Sequence, residues 1–198
     1  KAFSDLLDVA DSSVAGAIQR ILYNRDLTRE LRRQFSNEPP DFIYERASLY
    51  SMTGISLAAE FGVPLLLELN APLAMEQEVY RGNGLGNLAQ RSEQWMLKRA
   101  DAVLPVSASL GEYVVSLGAD AKRMHVVPNG VDPELSAPRP RDPALRKRFH
   151  LDGVPVLGFI GGLRPWHGAD ALPSLVERLV PRHRDLRLVI VGNGPLRS

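Results

Sequence analysis

Val156–Asp170 reads Val-Leu-Gly-Phe-Ile-Gly-Gly-Leu-Arg-Pro-Trp-His-Gly-Ala-Asp. An apolar run ends in two glycines, and an arginine, a histidine, a third glycine and the start of a helical pattern follow. This order predicts a buried strand, a small-residue turn and a helix N-terminus. Unpaired backbone N–H groups and the positive end of a helix dipole converge at such a junction and favour an anion. Arg164 and His167 add side-chain donors at the same place. The ligand chemistry implied is a phosphate or diphosphate.

Working outward, short apolar runs alternate with amphipathic stretches. Helical periodicity is expected over 3–22, with Leu6, Leu7, Ala10, Val14, Ala17, Ile18, Ile21 and Leu22 on one stripe, and again over 26–35. Glu38-Pro39-Pro40 breaks it. Strands are expected at 42–44, 63–69, 102–106, 124–127, 154–160 and 186–191. Helices are expected at 48–61 (closed by Gly62), 88–100, 108–117, 144–149 and 168–180. Asn83, Gly84 and Gly86 form a mobile loop, and Arg81 beside it is read as solvated. The continuous apolar character of 63–69 suits a parallel strand buried on both faces. The fold class is therefore α/β with Rossmann-like parallel sheets. Turn residues and prolines from 128 to 143 divide the chain into a first domain, 1–130, and the linker and start of a second, 131–198. Ligands of open α/β sheets sit beyond the carboxyl ends of the strands. Glu45, Arg46, Glu68, Asn70, Ser107, Asn129, Gly161, Gly162 and Gly192 are thus candidate site residues.

Composition narrows the function classes. With 44% apolar and 24% charged residues the chain can build a globular core, and a net charge of +1 gives no field for nucleic acid. The basic stretch from Arg139 to His150 reads as a solvated linker. Cysteine is absent, so disulfides, thiolate nucleophiles and zinc–thiolate sites are ruled out. No apolar run reaches the roughly 20 residues of a membrane span, and the first residues lack a signal-peptide pattern. His125, His150 and His183 are scattered without metal-ligand spacing, so no metal is expected. Trp95 and Met96 read as core residues. Ser107 has no nucleophile elbow around it, and no Walker motif occurs.

Four stretches together resemble one family. They are Ile43-Tyr44-Glu45-Arg46 with residues 62–73 (Gly-Val-Pro-Leu-Leu-Leu-Glu-Leu-Asn-Ala-Pro-Leu), Lys98 to Ser107, Pro128-Asn129-Gly130-Val131-Asp132, and Gly158 to Gly168 followed by Val189 to Pro195. In this order the chain resembles a retaining, nucleotide-sugar-dependent glycosyltransferase of the two-domain GT-B fold. The resemblance implies most of the N-terminal, acceptor-side domain and the start of the C-terminal, donor-binding domain. It also implies a trimmed chain: an opening strand with a glycine-rich loop would precede Lys1, and a pair of donor-holding glutamates would follow Ser198. The fragment alone is expected to be inactive.

The resemblance assigns residues. Arg164 and His167, where the family usually has arginine and lysine, would clamp the donor diphosphate and stabilise charge on the leaving phosphates without a metal cofactor. A bound diphosphate would favour the charged form of His167. Gly161 and Gly162 would let phosphate approach the backbone, although they also suit a plain tight turn. Gly192, Asn193 and Gly194 would meet the nucleotide; as chemistry alone they are a turn. Asn70 stands where many relatives carry a histidine, and it cannot act as a base. The leaving phosphate would then take the acceptor proton. Glu45, Arg46 and Glu68 would lie on the acceptor side or serve structure, in preference to a hydrolytic carboxylate pair. Domain closure would exclude water. The partners implied are a nucleotide sugar and a sugar, lipid or small-molecule acceptor, in the cytoplasm or at the inner face of the membrane through peripheral contact. Exposed sheet edges point to a homodimer or an exchanged segment. A non-catalytic nucleotide-binding module, a nucleotide-sugar epimerase and a phosphorylase remain alternatives, the last without a visible pyridoxal phosphate site.

Overall fold

The computed structural model describes residues 12–81 and 87–197, which form two compact units, Lys1–Gly130 and Val131–Ser198. The start of the first expected helix, including Leu6, Leu7 and Ala10, and the Asn83, Gly84 and Gly86 loop lie outside the described residues.

In the first unit three parallel strands, β1 (Ile43–Arg46), β2 (Leu65–Leu69) and β3 (Ala102–Pro105), stand in the order β1-β2-β3. Ile43 pairs with Leu65, and Leu67 with Val103. Side chains alternate across a strand. Leu65, Leu67 and Leu69, each 1% exposed, therefore share one face. They pack there in one core with Ala58, Met96, Leu97, Val103, Leu110 and Val114. Burial of each such leucine contributes roughly 1.5–3 kcal/mol. The helices that supply this core are α2 (Thr53–Phe61), α4 (Leu88–Arg99) and α5 (Ala108–Ser116). Asp101 locks the strand starts: its carboxylate accepts the Leu65 N–H at 2.8 Å, and its own N–H donates to the Leu65 carbonyl at 2.9 Å.

The two expected segments 3–22 and 26–35 are continuous over the described part, as helix α1 (Ser12–Phe35). The helix expected from Ser48 begins only at Thr53. Asn24 of α1 holds the preceding turn open. Its Nδ2 donates to the Tyr50 carbonyl at 2.9 Å, and its Oδ1 accepts the Met52 N–H at 3.2 Å and the Thr53 hydroxyl at 3.0 Å. Tyr50 sits at φ 67° in that turn. Gly62 closes α2 in the left-handed conformation, as its position in the sequence suggests.

Two further differences concern the strand exits. A helix, α3 (Leu73–Arg81), follows β2 in a stretch to which the sequence pattern assigned no element. It starts on Pro72, whose carbonyl accepts the Glu76 N–H at 2.9 Å. The strand expected at 124–127 is reduced to one bridge, Val103 to Met124. The His125 and Val127 N–H groups donate to β3 carbonyls at 2.9 and 3.0 Å, but Pro128 then stops the ladder.

In the second unit, α6 (Pro143–Arg148) is capped by the Asp142 carboxylate, which accepts the Ala144 and Leu145 N–H groups at 2.8 and 3.2 Å. Strands β4 (Val156–Ile160) and β5 (Arg187–Val191) pair in parallel, Val156 opposite Arg187 and Ile160 opposite Val191. The helix expected over 168–180 is regular only as α7 (Leu172–Leu179). Two 3₁₀ turns, Pro165–His167 and Ala169–Ala171, precede it, separated by left-handed Gly168.

Among the described residues, one carboxylate lies wholly inside the first unit. Glu93 of α4 is 0% exposed and accepts the Leu73 N–H at 3.0 Å, the Ala74 N–H at 3.2 Å and the Tyr113 hydroxyl at 2.7 Å. Burial raises its pKa above the ordinary carboxylate value, the three donors oppose that rise, and nearby Glu76 adds to it. Between the ordinary value and the raised one, the folded chain therefore binds a proton that the unfolded chain has already released. The associated stability is complete below the ordinary value and is lost as pH rises through the raised one. The melting-temperature difference between the parent chain and Glu93→Gln is expected to shift against the parent across that window. A difference independent of pH would contradict the assignment.

Candidate functional site

The expected residues fall into two groups, one in each unit. In the first unit, strand alternation separates neighbours in sequence. Tyr44 and Arg46 of β1 and Glu68 of β2 project to one side, with Arg46 opposite Glu68 in the register. Glu45 projects to the other.

Glu68 is the centre of a polar cluster at the carboxyl ends of β1 and β2. Its carboxylate accepts the Tyr44 hydroxyl at 2.5 Å and the Asn70 side-chain N–H, and the Arg46 Nε lies 3.7 Å away. The Asn129 side-chain N–H donates to the Asn70 Oδ1 at 3.2 Å. The Tyr44 hydroxyl first, then the Asn70 amide, hold Glu68 below the ordinary carboxylate range, so it is ionised at neutral pH. The same hydrogen bond raises the Tyr44 phenol above its ordinary value. Arg46 is largely exposed and Tyr44 half-exposed. The cluster thus presents an anchored carboxylate, an amide, a phenol and an exposed guanidinium.

Glu45 is not in this cluster. Its carboxylate accepts the Gly54 N–H at 3.0 Å and the Ser51 hydroxyl, at the N-terminus of α2. A Cβ at position 54 would overlap that carboxylate. Glu45 is a helix cap, favoured by the helix dipole. Ser107 likewise caps α5, its Oγ accepting the Leu110 N–H at 3.2 Å. The side chain of Arg81 lies outside the described residues.

In the second unit the loops leaving β4 and β5 run backbone to backbone. Gly161 N–H donates to the Val191 carbonyl and Leu163 N–H to that of Asn193, both at 3.0 Å; Leu196 N–H returns to the Leu163 carbonyl at 3.1 Å. The parallel ladder continues past the strand ends. Gly192 and Gly194 are glycine because a Cβ there would overlap the backbone of Gly161 and of Leu163. The Asn193 Oδ1 accepts the Gly194 N–H at 2.9 Å.

This geometry corrects the expected cradle of amides. Gly161, Leu163, Arg164 and His167 N–H groups are taken up by carbonyls of the protein. Gly162 N–H keeps no protein acceptor among the described residues. Regular helix also begins further on, at Leu172. The side chains of Arg164 and His167 remain. Arg164 is exposed, makes no ion pair among the described residues and lies over the Trp166 ring, its Cζ 5.3 Å from the centroid. The His167 Nδ1 is 2.7 Å from the Gly162 carbonyl. A carbonyl can only accept, so Nδ1 carries the proton and Nε2 is the nitrogen left for a ligand. Tyr44, Asn129 as the partner of Asn70, and Trp166 under Arg164 are contributions that the spacing of residues alone did not assign.

Residues 8–130 match the model of the glycosyl transferase 4-like domain. The chain belongs to that family. The matched range contains the Glu68 cluster, while the Arg164 loop lies beyond it. Among relatives, the 2-deoxystreptamine glucosyltransferase of Streptomyces kanamyceticus is 29% identical over 85% of this chain and 45% of its own length. The GDP-mannose-dependent α-mannosyltransferase of Mycolicibacterium smegmatis is 31% identical over 78% of this chain and 40% of its own. The chain thus spans less than half the length of either. Among solved structures, Anabaena HepE in complex with UDP-glucose superposes with a TM-score of 0.63 at 19% identity, over 84% of this chain and 43% of that protein. The likeness supports the α/β fold with parallel sheets.

The loop packing has a direct test. Gly194→Ala is expected to lower the stability of the β4–β5 pair by roughly 1–3 kcal/mol or more through backbone overlap, read as faster amide exchange at Phe159 and Ile190. Gly158→Ala, where a Cβ meets nothing within 4 Å, is the control and should be near neutral. Equal effects would refute the close-approach account.

Proposed function

We propose that the chain is part of a retaining glycosyltransferase that moves a sugar from a nucleotide-diphosphate donor to an acceptor. The observation that carries this reading is the Arg164 guanidinium, exposed and without a carboxylate partner among the described residues, beside His167 and the Gly162 amide at the end of β4. Family membership and the nucleotide-sugar donors named for relatives and for a structural neighbour support it.

In this reading Arg164 and His167, the latter as an imidazolium that donates from Nε2 while Nδ1 keeps the Gly162 carbonyl, hold the diphosphate. As the bond from the anomeric carbon to the phosphate oxygen breaks, negative charge grows on that phosphate. Fixed cationic donors stabilise the growing charge more than the ground state, and they supply the role that a metal ion would otherwise fill. The acceptor oxygen attacks on the face the phosphate leaves, and its proton passes to the departing phosphate oxygen. Asn70 donates and accepts hydrogen bonds and takes no proton. Glu68, Asn70 and Arg46 orient the acceptor, with Glu68 kept ionised by Tyr44. Glu45 supports them indirectly by capping α2.

A charge-assisted hydrogen bond contributes about 1.5–3 kcal/mol. Arg164→Ala is therefore expected to weaken UDP or GDP binding by roughly tenfold or more in calorimetry of the chain. Equal affinity in the two proteins would contradict the donor assignment. In the whole protein, with UDP-glucose and GDP-mannose as donors and 2-deoxystreptamine as the first acceptor tried, Asn70→Ala should raise the acceptor KM and leave the donor KM unchanged. A changed donor KM alone would contradict the acceptor assignment. Nucleotide binding with no transfer in the whole protein would favour a non-catalytic module.

A further inference from the structure

Glu93 takes no part in the chemistry proposed above, yet it is a fully buried carboxylate, and burying a charge is costly unless its partners are well placed. All three of its partners are donors: the N–H groups of Leu73 and Ala74 and the Tyr113 hydroxyl. A carboxylate can accept from all three. A glutamine could not, because its amide nitrogen would face an N–H or O–H donor.

The donors come from two helices that leave adjacent strands. Leu73 and Ala74 open α3, which follows β2, and Tyr113 lies on α5, which follows β3. The β2 and β3 exits are also joined directly, Val106 N–H donating to the Leu69 carbonyl at 3.1 Å. Between Leu73 and Asn70 stand only Ala71 and Pro72. The pyrrolidine ring fixes φ at Pro72, so the connection is short and stiff. Its near end is the Asn70 side chain, held between Glu68 and Asn129.

We infer that Glu93 is a positioning residue for Asn70: by clamping the first turn of α3 to α5, it fixes the connection from Asn70 to Pro72 and so the aim of the Asn70 amide. Its bearing on the acceptor rests on the reading given under the proposed function, whereas the coupling itself does not.

The test is amide NMR of the chain carrying Glu93→Gln. The expected result is a shift of the Asn70 side-chain NH₂ pair together with the Leu73 and Ala74 amides, while the Gly54 amide, held by Glu45, stays in place. Movement of Leu73 and Ala74 with an unmoved Asn70 NH₂ pair would reduce Glu93 to a local helix cap and overturn the inference. Should Glu93→Gln not fold, Tyr113→Phe, which keeps both amide bonds, is read in the same way: a smaller shift at Asn70 supports the inference and none overturns it. A normal acceptor KM in Asn70→Ala would defeat the acceptor reading and leave this coupling standing, so the two failures are separable.

Discussion

Strict alternation along β2 governs the first unit. Leu65, Leu67 and Leu69 turn to one side and disappear into the core, which leaves Leu66 and Glu68 no choice but the other. The parallel register then sets Arg46 across from Glu68, and the pleat brings Tyr44 to the same carboxylate. A one-residue slip of β1 would exchange Glu45 for its neighbours and leave α2 without its cap. The polar cluster is thus a consequence of core burial, and its carboxylate is rigid because strand, phenol and amide all hold it.

The second unit achieves a comparable result with backbone. Its loops are zipped together by ladder hydrogen bonds beyond β4 and β5, and Gly192 and Gly194 permit the approach. Because that zipper takes the Gly161 and Leu163 amides and the loop's own turns take those of Arg164 and His167, anion affinity depends on side chains. Trp166 lies beneath the Arg164 guanidinium, and the Gly162 carbonyl fixes the imidazole of His167. A cation–π contact at this distance does not use the guanidinium N–H groups as hydrogen-bond donors, so they stay available for phosphate.

Five of the six expected strands, the Gly62 stop and the α/β class were legible because each rests on local pattern: apolar runs, periodicity and turn residues; the strand expected at 124–127 survives only as one bridge. The sequence also placed Glu68 and Asn70 at strand ends and Arg164 and His167 in the turn after β4. It did not disclose that Glu45 turns away from Glu68, although period-two alternation from Tyr44 would have said so. The late start of α2 depends on Asn24, a partner 28 residues from Met52 that no local signal announces. Helix α3 was hidden because its cap comes from Glu93, on another helix. A signal for Glu93 did exist: it shares the buried side of α4 with Ala89, Met96 and Leu97, and a carboxylate there calls for donors. The amides of the Arg164 loop were misjudged because a strand–turn–helix pattern does not reveal which N–H groups a neighbouring strand will claim.

If Arg164 and His167 grip a diphosphate, a crystal structure of the chain with bound UDP will show phosphate oxygens on the Arg164 guanidinium and on the His167 Nε2, with the Nδ1 contact to Gly162 retained. A diphosphate seated elsewhere, with both side chains unengaged, would contradict this assignment.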